Sequence, residues 1–273
     1  MTSLTETSSK DDLSFWNSRH LEFRVLILGR ANAGKTTILE RLTEAAMDEA
    51  EVRRKGKVLP GQTIRGQSDR GLHNVEDEIR FPSRPGFVFH DSRGFEAGSS
   101  EQLSIVQQFV ETRSSATDLR EQLHAIWMCR PLDDSREFEK EKEPLRWSKG
   151  LTPLVVIFTK RDGAVSKETS QIIKEKKIIS RAGKKEARAM ADSQVTNRVN
   201  ELEGELRQLS LANGAVAFLT TSGMEERTVD TEKACQQLID LTEECLSGPT
   251  VKTLLSTVWG RNLSRRGFWC FYW

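Results

Sequence analysis

The run Gly29-Arg30-Ala31-Asn32-Ala33-Gly34-Lys35-Thr36 follows the apolar stretch Phe23-Arg24-Val25-Leu26-Ile27-Leu28 and precedes the helical pattern Ile38, Leu39, Leu42, Ala45, Ala46. Strand, G-x-x-x-x-G-K-[ST] loop and helix in that order make a phosphate-binding loop. Glycine at both ends lets the backbone wrap closely enough to aim its N–H groups at phosphate oxygens, and a helix starting near Lys35 adds the positive end of its dipole. Lys35 would then reach the β- and γ-phosphates of a nucleotide, and the Thr36 hydroxyl would sit on Mg²⁺. The expected nucleotide contacts run from Gly29 through Arg30, Ala31, Asn32, Ala33, Gly34, Lys35 and Thr36 to Thr37.

The phosphate loop needs a sheet behind it, and 273 residues suffice for one large domain with insertions. Short apolar runs at 23–28, 75–81, 87–90, 124–129, 154–158 and 215–219 alternate with helical patterns at 35–49, 100–113, 137–148, 167–211 and 231–246. That rhythm predicts an α/β fold, a three-layer P-loop NTPase with a mostly parallel central sheet. Several runs are continuous rather than alternating, as where helices cover both sheet faces. The stretch 167–211 exceeds one connecting helix and is read as an insertion of two helices broken near Gly183. Residues 53–74, rich in Gly and basic side chains, are read as a long surface loop. The expected organisation is a flexible tail at 1–20, the nucleotide-binding domain at 21–258 and an aromatic tail at 259–273.

A net charge of +1 gives no reason to expect nucleic acid as a partner. Four cysteines, Cys129, Cys235, Cys245 and Cys270, form no C-x-x-C pair and have no histidine at metal-ligand spacing. They are expected to be reduced thiols of a cytoplasmic protein. Residues 1–12 lack the apolar core of a signal peptide, and no stretch approaches the ~20 apolar residues that span a bilayer.

Two further motifs bear on the base and the metal. Phe87-Val88-Phe89-His90-Asp91-Ser92-Arg93-Gly94 is an apolar strand ending in Asp-x-x-Gly. The Asp91 carboxylate would hold Mg²⁺ through water, and the Gly94 N–H would approach a γ-phosphate because no side chain intervenes. Leu154-Val155-Val156-Ile157-Phe158 then runs into Thr159-Lys160-Arg161-Asp162. A carboxylate at Asp162 accepts from both the N1–H and the 2-amino group of guanine, whereas adenine would leave it unpaired. Lys160 would lay its aliphatic stem across the base. An ATP-dependent kinase, the competing enzyme class, leaves Thr159–Asp162 unexplained.

This ordered set resembles the GTPase superfamily of Ras-like, septin-like, dynamin-like and immunity-associated GTP-binding proteins. It is similar above all to fungal G-domain proteins, through Arg70-Gly71-Leu72-His73, the segment from Phe87 to Gly98, and Leu123-His124-Ala125-Ile126-Trp127. The resemblance implies GTP or GDP as ligand, Mg²⁺ as cofactor and a G domain. Thr159 stands where the commoner pattern has Asn, which alters one contact bracing the phosphate loop. The last base-contacting turn is represented by Thr220-Thr221-Ser222-Gly223, with backbone N–H groups near Ser222 facing the guanine oxygen. A switch hydroxyl on Mg²⁺ would come from Thr63 or Ser68, the two Ser or Thr residues of the 53–74 loop.

Phe95 follows Asp-x-x-Gly where Ras-like proteins have the Gln that orients the attacking water. A phenyl ring orients no water, so no catalytic residue is assigned. Arg65, Arg70, His90, Arg93 and Glu96 are near enough in sequence to be weighed. Two readings follow: a GTP switch with slow intrinsic hydrolysis, and a GTP-sensing scaffold that does not hydrolyse. A homodimer across the nucleotide face would supply missing groups. The basic stretch 174–188 reads as an amphipathic helix with a solvated face or as a surface for acidic lipid or a partner. The C-terminal Phe268-Trp269-Cys270-Phe271-Tyr272-Trp273 reads as packing on the domain or a second subunit, or as a weak membrane contact.

Overall fold

The computed structural model describes residues 21–59, 74–92, 100–134, 142–147, 151–210 and 215–264. Eight strands form one sheet: β1 (Phe23–Leu28), β2 (Glu51–Arg54), β3 (Lys57–Val58), β4 (Glu78–Arg80), β5 (Phe87–Asp91), β6 (Ala125–Pro131), β7 (Leu154–Thr159) and β8 (Val216–Thr220). Their order is β3-β2-β4-β5-β1-β6-β7-β8, with the five from β5 to β8 parallel and β2, β3 and β4 joined on antiparallel. The helices are α1 (Lys35–Thr43), α2 (Ser100–Ser114), α3 (Pro144–Trp147), α4 (Arg161–Glu175), α5 (Arg181–Ser210), α6 (Val229–Cys245) and α7 (Pro249–Ser264).

The two-residue period of a strand sends alternate side chains to opposite faces, and the continuous apolar runs fill both. Phe23, Val25 and Ile27 of β1 join Trp127 of β6 and Val155 of β7 in one core, covered by Leu39 of α1, Leu238 of α6 and Leu255 of α7. Leu26, Leu28, Ile126, Val156 and Phe158 face the other way, against Phe109 of α2, Val165 of α4 and Leu206 of α5. The three layers expected from the sequence are therefore present, and the parallel strands all end on the edge where the loop at 29–34 lies.

Several boundaries depart from the sequence reading. Residues 51–58, partly inside the region read as a loop, form a β-hairpin whose Lys55-Gly56 turn has φ of 49° and 76°. The two positive φ values are those of a tight hairpin turn, but the strands are polar and bury Val52 alone, which hid them. Arg54 anchors the hairpin through hydrogen bonds to both carboxylate oxygens of Asp77, at 2.5 and 2.7 Å. The helix expected at 35–49 stops at Thr43, because Glu44 is left-handed at φ 58°, and a 3₁₀ turn follows at Met47–Glu49. The 167–211 insertion begins earlier, at Arg161. Its break falls at 176–180, where Ser180 Oγ accepts the Gly183 N–H at 3.0 Å and so caps α5. Gly183 is thus in the first turn of the second helix.

Helix α7 was not expected, and it runs through residue 258, where the sequence placed the end of the domain. Trp259 lies edge-on to Phe87 at 6.3 Å between centroids, with the Arg84 guanidinium 4.6 Å over its ring. It belongs to the core and not to a tail. The tail at 1–20 and residues 265–273, with Cys270, lie outside the described residues; Cys129, Cys235 and Cys245 are free thiols. No described helix is long and apolar enough to cross a membrane.

Candidate nucleotide site

The loop leaves β1 at Gly29 with φ 144°, and a Cβ there would sit 2.6 Å from the carbonyl oxygen of Cys129 in β6. Glycine is required because the loop turns hard against a neighbouring strand that is itself paired on both sides. Asn32 and Gly34 also have positive φ, at 61° and 87°. Gly34 precedes α1, so the first turn of that helix opens directly onto the loop. Ala31, Asn32 and Thr36 are exposed, and Thr37 half-buried.

Lys35 folds over this loop, its Nζ donating to the carbonyls of Gly29 at 2.9 Å and Arg30 at 3.1 Å. It also lies 4.0 Å from Asp91 Oδ1, which brings the end of β5 to the phosphate loop as its register beside β1 requires. Arg30 is buried and pairs with Asp134 at 3.7 Å, an ion pair that fixes the loop against the end of β6. Beneath the loop, burial pushes the Cys129 thiol up to about 12, so it is held as an inert neutral group.

The residues expected to meet the base come from the ends of β7 and β8. Thr159 is buried at the end of β7 and donates from Oγ1 to the Ala33 carbonyl at 2.8 Å. The contact expected to be altered by Thr in place of Asn is thus a direct brace on the loop. Lys160 is left-handed at φ 58°, with Nζ 3.7 Å from Asp133 Oδ2. Asp162, exposed in the first turn of α4, accepts at Oδ1 from the Gly223 N–H at 3.1 Å and the Ser222 hydroxyl at 3.3 Å. Gly34, Thr37, Ile38, Thr159, Lys160, Asp162, Thr221, Met224 and Glu225 line one pocket. The loop at 29–36, Thr159, Lys160, Asp162 and Ser222, far apart in sequence, therefore meet along one edge.

Other expected residues fall elsewhere. His90 is buried on the far side of β5, donating from Nδ1 to the Val75 carbonyl at 2.9 Å, and burial together with the nearby Arg24 charge pushes its pKa down to about 4. It is a neutral core group, unavailable for proton transfer at the site. Gly94, Phe95, Thr63, Ser68, Arg65, Arg70, Arg93 and Glu96 lie outside the described residues. Sequence reasoning missed Arg41, whose Nε donates to the Met224 carbonyl at 2.7 Å and whose Nη2 donates to Glu225 O, tying α1 to the pocket wall. It also missed Asp133 and Asp134, whose one signal was their place directly after a buried strand.

The pattern of the 50S ribosome-binding GTPase family matches residues 24–160, from the second residue of β1 to the residue after β7. The chain belongs to that family. It is a P-loop GTPase domain, and GTP and GDP are the ligands such a domain binds. Among solved structures a probable GTP-binding protein engB is similar, 17% identical with a TM-score of 0.40, over 81% of this chain and 99% of that one. No curated protein matches the chain in sequence.

Proposed function

We propose that this GTPase domain is a Mg²⁺-dependent guanine-nucleotide switch whose intrinsic hydrolysis is slow. The observation that carries the base assignment is the placement of Asp162, held by Ser222 and Gly223 at the mouth of a pocket that opens beside the phosphate loop. Those two bonds orient the carboxylate and leave acceptor capacity on both oxygens for the N1–H and 2-amino group of guanine. Lys160 supplies an aliphatic stem along the base, and the backbone near Ser222 supplies an N–H for its oxygen. The loop from Gly29 to Thr37 takes the phosphates, with Lys35 exchanging its carbonyl partners for phosphate oxygens.

Thr36 and Asp91 offer a hydroxyl and a carboxylate, the hard oxygen donors that Mg²⁺ takes, at the same edge. Thr36 would hold the ion through its hydroxyl and Asp91 through a water, leaving the other ligands to phosphate oxygens and solvent. Bound there, Mg²⁺ would neutralise charge on the β- and γ-phosphates. Thr63 or Ser68 would add a third oxygen, and Gly94 an N–H to the γ-phosphate.

Slow hydrolysis rests on Phe95, which cannot orient water, and on the burial of His90, which removes the nearest described candidate base. Titration of GTP, GDP and ATP into wild-type, Asp162→Ala and Lys35→Ala protein tests the binding reading. Guanine nucleotides should bind selectively, Asp162→Ala should abolish that selectivity, and Lys35→Ala should weaken every nucleotide; equal affinity for ATP in the wild type refutes it. Phosphate release in a single turnover, followed over a protein concentration series, separates a slow switch from one activated by a homodimer. Zero release at every concentration would favour the non-hydrolysing scaffold, a reading to which the long α4–α5 hairpin gives a binding arm.

A further inference from the structure

The α4–α5 hairpin carries a charge that the rest of the chain does not share. Lys174, Lys176, Lys177, Arg181, Lys184, Lys185 and Arg188 surround its turn, against two acids, Glu175 and Glu186. All nine are exposed, giving +5 at one tip of a chain whose net charge is +1. None of the seven cations is within 4.0 Å of a carboxylate among the described residues, although the Arg188 charge is near enough to Asp192 to help Arg161 hold its carboxyl below the usual range. At the apex Ile179 is 89% exposed, the most exposed of the large apolar side chains described.

The tip is also placed apart from the sheet. Helix α4 starts directly after β7 and packs chiefly on α5. Arg161 at its base meets Asp192 at 2.8 Å and Thr196 at 2.9 Å, and Arg198, two residues further along α5, meets Leu132 at the end of β6. From there α5 runs along the sheet, with Arg207 stacked 4.6 Å over Phe218 of β8. Residues 181–191 therefore lie on the other side of the strand ends, and the tip stands one length of α4, about 22 Å, from the end of β7. It projects from the edge that carries the phosphate loop.

We propose that this tip is a docking point for an anionic lipid bilayer. An excess of Lys and Arg around a single protruding aliphatic side chain suits a charged, deformable interface. The ammonium groups reach lipid phosphates while their stems and Ile179 enter the headgroup layer. The turn bears no aromatic residue between Lys174 and Arg188 on which a nucleobase would stack. Nucleotide binding and tip docking are separate, since none of these side chains lines the pocket at Asp162.

The test is co-sedimentation of the full chain with phosphatidylcholine vesicles, with and without phosphatidylserine, over a salt series. The wild type should bind only vesicles containing phosphatidylserine and release as salt rises. Reversal of Lys174, Lys177, Lys184 and Lys185 to Glu should abolish partitioning, and Ile179→Ser should weaken it about tenfold without changing its salt dependence. GDP affinity, unchanged in all variants, shows that the fold and the site are intact. No partitioning by the wild type overturns the proposal, as does partitioning that survives charge reversal. Binding of single-stranded homopolymer RNA more tightly than the anionic vesicles, lost on the same reversal, would assign the tip to nucleic acid instead.

Discussion

The two ends of the proposed site, one for the phosphates and one for the base, sit side by side but are built in opposite ways. The phosphate end is a continuous stretch of backbone, positioned by glycines with positive φ and by one strand. The base end joins Asp162 to Ser222 and Gly223, 60 and 61 residues away, and holds them with side-chain bonds. Backbone geometry recognises a feature common to all nucleotides, whereas an oriented side chain recognises a particular base. Changes at the first end should thus shift every nucleotide alike, and changes at the second should alter the choice among them.

The largest effect is expected from Gly29→Ala. Its Cβ would meet the Cys129 carbonyl oxygen at 2.6 Å, and neither the loop nor the doubly paired β6 can give way cheaply. A loss of about 3 kcal/mol or more, some hundredfold in affinity, should appear equally for GTP, GDP and ATP, together with a lower melting temperature. Gly34→Ala, whose Cβ would lie 3.4 Å from Thr159 Cβ, should cost less, through backbone strain of roughly 1–2 kcal/mol. A variant of Gly29 that weakened guanine nucleotides alone would break the division between the two ends.

Next comes Asp162→Ala, with a loss of about a hundredfold or more in GTP and GDP affinity and little change for ATP. The carboxylate is exposed and accepts bonds from two groups that solvent can satisfy in its absence, so the melting temperature should hold. Thr159 tests the joint between the ends. Its hydroxyl donates to the buried Ala33 carbonyl, and Thr159→Val should leave that oxygen unpaired at a cost of about 1–3 kcal/mol, while Thr159→Ser restores the bond. Because the brace acts on the loop, titrations should show GTP and ATP weakened in equal proportion. Unequal weakening would place Thr159 with the base end.

The same difference in construction explains how much could be read from the sequence. A phosphate loop is contiguous, so Gly29, Gly34, Lys35 and Thr36 were legible as a set, and the buried runs of β1, β6 and β7 were legible because both faces of each strand are apolar. The hairpin at 51–58 was not, since two short polar strands that bury one residue between them leave no periodic signal. Helix α7 was obscured by the aromatic residues that follow it, although Trp259 is core. At the base end, Asp162 announces itself by following a buried strand. Its hold on Gly223, the brace from Thr159 to Ala33 and the Arg30–Asp134 pair are long-range contacts that residue type alone does not specify.

Arg41 sharpens the comparison most finely, because it sits on the phosphate-loop helix yet serves the base end. Two of its guanidinium nitrogens hold the carbonyls of Met224 and Glu225, and those residues line the same pocket as Asp162. Removal of the side chain frees the segment that carries Ser222 and Gly223, and with it the partners that orient the carboxylate. Arg41→Ala should therefore weaken GTP and GDP by about three- to tenfold, the worth of one or two partly exposed hydrogen bonds, and leave ATP unchanged. Arg41→Lys, with one donor head instead of a planar fork, should recover part of the loss. An inosine nucleotide supplies the decisive control: lacking the 2-amino group, it gains less than guanosine from an oriented Asp162 and should lose less in the Arg41→Ala protein. Equal losses for guanosine, inosine and adenosine nucleotides would mean that Arg41 acts on the phosphate loop through α1, and that the two ends of the site are less separate than their construction suggests.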